Sequence, residues 1–147
     1  MPVRARGIDL DTMALASVAL TAEASITATG SATGDTCITT GKFTVENGGS
    51  FKVEVFTPYI TKGTTNIDVE LFDGATAATG TFLTSLSGHM AASVARPGAV
   101  MIAVVNLVAG THTLTVTAFV DGGTGKFGAG DGATGDAPNA RLRVTPA

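Results

Sequence analysis

A chain of 147 residues fits one domain and is long enough to bury about two-thirds of its unfolded surface in a single core. Charged residues make up only 14% of it, the formal net charge is −3 and the nine basic residues are scattered, so the composition excludes a basic nucleic-acid-binding surface. No segment reaches the roughly 20 apolar residues of a membrane-spanning helix, and one cysteine, Cys37, excludes an internal disulfide and a cysteine-based zinc motif.

Residues 1–10 read as an extended N-terminal arm and residues 11–147 as the folded domain. Arg4 and Arg6 precede an apolar run over residues 13–20, as in a signal peptide, but Asp9 and Asp11 interrupt that pattern and the run is short. From Leu10 to Thr29 the parity of Val18, Leu20, Ala22, Ala24 and Ile26 predicts one long strand, or two short ones with a bulge near Ser17. A turn over 30–35 leads to a short strand at 36–40.

Residues 42–46 and 50–57 alternate apolar and polar side chains around Asn47-Gly48-Gly49, which predicts a hairpin with one wet and one buried face. Pro58 ends that run. Ile67, Val69 and Leu71 alternate with Asp68 and Glu70, so 66–73 is a strand whose carboxylates form a polar face, closed by a turn at Asp73-Gly74. Phe82, Leu83 and Leu86 mark a weaker strand.

The continuous apolar run from Ala99 to Val108 predicts a strand buried on both faces. Residues 110–120 alternate threonine with Leu114 and Val116, and 139–146 alternate Leu142 and Val144 with Arg141 and Arg143. Between them lies a glycine-rich loop, 121–136, with room for a short strand around Phe127. About eight short strands without a convincing helix predict an all-β fold, a single antiparallel β-sandwich of jelly-roll type.

Motifs that would carry chemistry fail on spacing. Residues 122–126 (GGTGK) resemble the core of a phosphate-binding loop, but Val120 stands where its first glycine belongs and Phe127 where a magnesium-binding hydroxyl belongs. Asp121, Asp131 and Asp136 do not follow the order of a glycine-rich calcium repeat. His89 and His112 are isolated, with His112 expected to pack at a strand end, and no nucleophile-elbow pattern accompanies any serine. Cys37 reads as a small buried hydrophobe. An enzyme, a cofactor and a metal site are therefore not expected.

The strand pattern of residues 109–118, the glycine loop after it, the closing strand at 140–145 and the strand and turn over 68–74 resemble jelly-roll modules of bacteriophage structural proteins, particularly those of actinobacterial phages. The resemblance implies a virion component such as a capsid decoration protein, a head spike or a minor tail protein, often trimeric, and foremost a decoration protein of the capsid surface that binds the major capsid protein and copies of itself as a homotrimer. A neutral surface poor in charge and rich in Gly, Ala and Thr suits such packing. Val3, Arg4, Arg6 and Ile8 are then the expected contacts of the arm with the capsid or a neighbouring subunit. The alternative is a tail-tip or cell-surface binding module that recognises host glycans through the glycine loop.

Overall fold

The computed structural model describes residues 14–20, 22–61, 64, 66–87, 98–128 and 140–147. The expected arm, with Val3, Arg4, Arg6 and Ile8, lies outside them, as do His89, Asp131 and Asp136. Among the described residues thirteen strands follow in chain order: β1 (Ala16–Ala19), β2 (Ala24–Ile26), β3 (Asp35–Thr39), β4 (Phe43–Val45), β5 (Gly49–Thr57), β6 (Ile60–Thr61), β7 (Ile67–Asp73), β8 (Thr81–Ser87), β9 (Ala99–Leu107), β10 (Gly110–His112), β11 (Leu114–Val120), β12 (Gly125–Phe127) and β13 (Arg141–Pro146). The described residues include no α-helix, only a single 3-10 turn at Ser31–Thr33.

Strands β1, β3, β5, β7, β8, β9, β11 and β13 are the longer ones, and they make two four-stranded antiparallel sheets ordered β1-β13-β5-β9 and β3-β11-β7-β8. Each sheet alternates between early and late strands, the winding of a jelly roll. The expected fold class is what the chain adopts. The remaining short strands form a β10-β4 ribbon and a β2-β12-β6 sheet.

The two sheets bury their facing side chains in one core. Val53, Val55, Leu142 and Val144 come from one sheet and Val69, Leu71, Leu114 and Val116 from the other, all at 0% exposure. Alternation produces this directly, since successive strand residues point to opposite faces and the even spacing of these aliphatics sends all of them inward.

Four expectations need correction. The proposed hairpin of 42–46 with 50–57 does not form: β4 pairs with β10, and β5 pairs with β13 and β9. The glycines there turn the chain, but a three-residue β4 offers little pairing, and the nine-residue β5 gains more from two long neighbours. Residues 110–120 are not one strand, because the chain changes partners at Thr113, leaving β4 for β3 and β7. Glu70 is not on a wet face; it is buried and accepts a hydrogen bond from Ser31 Oγ at 2.5 Å. Strand β9 is buried on one face only, with Val100, Ile102 and Val104 exposed at 67%, 58% and 64%. It is an edge strand whose apolar run exceeds what burial requires.

The described residues of 10–29 include two strands, β1 and β2, and Ser17 lies within β1 rather than at a break between them. The turn at Asp73-Gly74 is present. Gly74 has φ +146°, and a Cβ there would meet Gly80 Cα at 2.5 Å, so the position demands glycine.

Candidate functional site

At one end of the sandwich β1, β5, β8 and β11 finish and β3, β7, β9 and β13 begin, so the connections between these strands start and end there. Strand β12, the short strand expected around Phe127, pairs with β2 and β6 and ties three of these connections together. Tyr59 Oη donates to the Glu23 carboxylate, which also pairs with Lys126 Nζ at 2.9 Å. Gly128 N donates to Tyr59 O at 3.0 Å, and the tyrosine ring occupies the space that a Cβ at Gly128 would need. Asn66 and Asp121 exchange two backbone-to-side-chain bonds of 3.1 Å each. Asp35 Oδ2 accepts from Thr27 N and Ala28 N at 2.6 and 2.9 Å.

These polar groups hold the connections to one another. Asp121, which the sequence places among possible calcium ligands, is committed to Asn66. Among the described residues no group of three or more His, Cys, Asp or Glu side chains could hold a metal ion.

A second surface, which sequence reasoning missed, is the outer face of the β3-β11-β7-β8 sheet. The register sets Thr39, Thr115, Phe72 and Phe82 in one row and Thr36, Thr117, Glu70 and Ser85 in the next. Phe82 is 52% exposed, and Phe72 braces it edge-on with ring centroids 5.5 Å apart. Strand β8 shifts register against β7 on either side of the Thr84–Ser85 pairings, and such bulges re-aim side chains. The 3-10 turn folds over part of the second row, brought close by Gly34, whose Cβ would lie 3.2 Å from Thr117 Oγ1. That hydroxyl is buried and has no hydrogen-bond partner. A buried donor left in this way loses its water without replacement, which costs stability. The accessible part of the face therefore combines the Phe82 ring with the Ser85 and Thr36 hydroxyls, while Thr115, Thr117 and Glu70 are buried beneath it. The signal for it was the bulky Phe82 on a strand too weakly patterned to bury it.

The third surface is the outer face of β9, purely aliphatic apart from Asn106, which accepts from Ser50 Oγ at 2.8 Å. The remaining titratable groups are structural. His112 packs at the end of β10, as its parity predicts, between Asp73 and the Val108 carbonyl. Cys37 is buried in β3, and burial, with the Asp35 charge adding to it, pushes its thiol pKa up beyond any working pH.

No protein-family model matches the chain. No curated protein is detectably similar to it in sequence. Several solved structures are similar to it in fold. A carbohydrate-binding module from Cellvibrio mixtus lichenase 5A, in complex with cellotriose, superposes with a TM-score of 0.50 at 14% identity, covering 92% of this chain and 99% of that one. A carbohydrate-binding module of family 35, Xyl-CBM35, in complex with a disaccharide containing glucuronic acid, gives 0.48 at 13% identity over 88% and 91%. A β-1,3-glucan-binding module of family 6 from Bacillus halodurans gives 0.42 at 14% identity over 93% and 90%. At this identity the Cellvibrio likeness establishes the class of fold, a jelly-roll β-sandwich spanning a whole module.

Proposed function

We propose that the chain is a non-catalytic binding module for carbohydrate, with the outer face of the β3-β11-β7-β8 sheet around Phe82 as its sugar platform. One observation carries this reading: an aromatic ring held at 52% exposure on the same outer face as the exposed side chains of Ser85 and Thr36. The C–H face of a pyranose packs on an aromatic ring while its hydroxyls need polar partners, which the exposed Ser85 and Thr36 hydroxyls of this face can offer. The Cellvibrio module, itself solved with cellotriose, shares the sandwich and supports the class of ligand. The site proposed is thus a sheet face and not the glycine loop.

A glycan array followed by calorimetry on its best ligand tests the reading. Phe82→Ala is expected to weaken binding by roughly thirtyfold, the scale of a truncated aromatic anchor, whereas shortening residues 122–135 leaves it unchanged. Silence across the array, or affinity indifferent to Phe82, overturns it.

A second reading, the virion decoration protein of the capsid surface, is favoured by the regular apolar edge of β9, which suits repeated packing against identical neighbours. Copurification with capsids in copies matching a symmetry axis supports it. Unchanged capsid occupancy after deleting residues 2–8 overturns the contact role of Val3, Arg4, Arg6 and Ile8.

A further inference from the structure

We propose that β9 is a self-association seam, at which two copies of this chain pair their β9 edges antiparallel about a two-fold axis and join their β1-β13-β5-β9 sheets into one. The two sheets have four edge strands, and three of them are blunted. Strand β1 has four residues, β3 shifts register against β11 between Val116 and Thr117, and β8 shifts register twice against β7. Strand β9 has no such protection. It runs for nine residues in unbroken register with β5 and contains neither proline nor a charged side chain. Short length, bulges, charge and proline are the devices that keep sheet edges apart.

An edge strand presents a row of backbone N–H and C=O groups, and another strand is what satisfies them in register. A second β9 fits that requirement on both its backbone and its side chains. A two-fold axis normal to the sheet keeps outer faces outer, so even-numbered residues meet even-numbered ones. Ile102 then lies opposite Ile102 and Val100 opposite Val104, giving a continuous band of β-branched cross-strand pairs. These three residues are among the few large apolar side chains left exposed in the described structure, and Val108, at 73%, extends the same surface past the strand end. Electrostatics do not oppose the meeting of identical faces. The neighbouring strand β5 contributes Lys52 and Glu54, which pair with each other at 3.4 Å and leave the flank neutral. A seam of this symmetry is isologous and closes at two copies.

Sedimentation of the purified protein tests the seam. The wild type is expected to sediment as a dimer at micromolar concentration, and Ile102→Lys as a monomer with unchanged far-UV circular dichroism. Ser17→Lys, on the same sheet but at its opposite edge, is expected to remain dimeric. Should Ile102→Lys fail to fold, Val104→Lys serves in its place, and hydrogen-exchange protection of residues 99–107 that grows with wild-type concentration reads the seam without any substitution. A wild type that stays monomeric overturns the proposal. So does a dimer that tolerates both lysines, or a three-copy ring that either lysine dissolves, since such a ring has no two-fold edge. No sugar enters these measurements, so their outcome is independent of the carbohydrate reading.

Discussion

His112 and Asp73 meet at 2.6 Å between Nδ1 and Oδ2, at the end of the sandwich opposite the long connections. The other ring nitrogen, Nε2, lies 2.9 Å from the Val108 carbonyl, so both nitrogens face acceptors and only the imidazolium can donate to both. Burial by itself pushes this pKa down, but the hydrogen bonds to Asp73 and Val108, with the Asp73 charge, outweigh it and raise the value above the ordinary 6.5. The stabilisation is therefore fully present below the unfolded-state pKa and is lost as pH rises through the higher folded-state one. Urea midpoints measured from mildly acidic to alkaline pH should fall across that window, and His112→Gln should flatten the fall. A slope that survives this substitution would sink the assignment.

Leu71 lies at the centre of β7 with no exposed surface. Leu71→Ala should cost about 2–5 kcal/mol, the lost transfer energy plus the cavity left behind. Val104→Thr, on the exposed face of β9, should stay within about 0.5 kcal/mol when monomers are compared in denaturant. Similar costs at the two positions would contradict the division between core and outer face.

Gly74→Ala forces a side chain into a φ of +146° and against Gly80 Cα. A loss of at least about 1–3 kcal/mol is expected, the scale of a strained backbone position. Gly41, where a Cβ meets nothing within 4 Å, is the control and should accept alanine with little change in thermal midpoint.

Cys37 should resist thiol reagents in the native state, because its thiol is buried and its pKa is raised by burial. Labelling at neutral pH is expected to follow global unfolding and to accelerate sharply with urea. Rapid modification of the folded protein at neutral pH would refute this.

Much of the sandwich was legible because one kind of information dominates it. Val53 and Val55, Val69 and Leu71, and Leu142 and Val144 each carry the period of two that a half-buried strand demands, and each pair faces inward. Pairing was less legible. The turn residues Asn47, Gly48 and Gly49 state that the chain bends, but not that β5 lies beside β13, a partner found almost a hundred residues later. The candidate sites were the least legible. The run containing Val100, Ile102 and Val104 reads as a doubly buried strand because hydropathy does not distinguish a core from an uncovered edge. Glu70 reads as solvent-facing because its cover, Ser31, comes from a distant turn. Phe82 could be weighed only once its row-mates on β7 and β11 were known.

The first and last strands of the jelly roll are neighbours: Ala16 stands opposite Val144, and Leu15 N donates to Val144 O at 2.8 Å. The polypeptide thus enters and leaves the sandwich side by side, at the pole away from the four long connections. A short bridge between the two strands would let new ends be opened elsewhere in the chain without disturbing the fold.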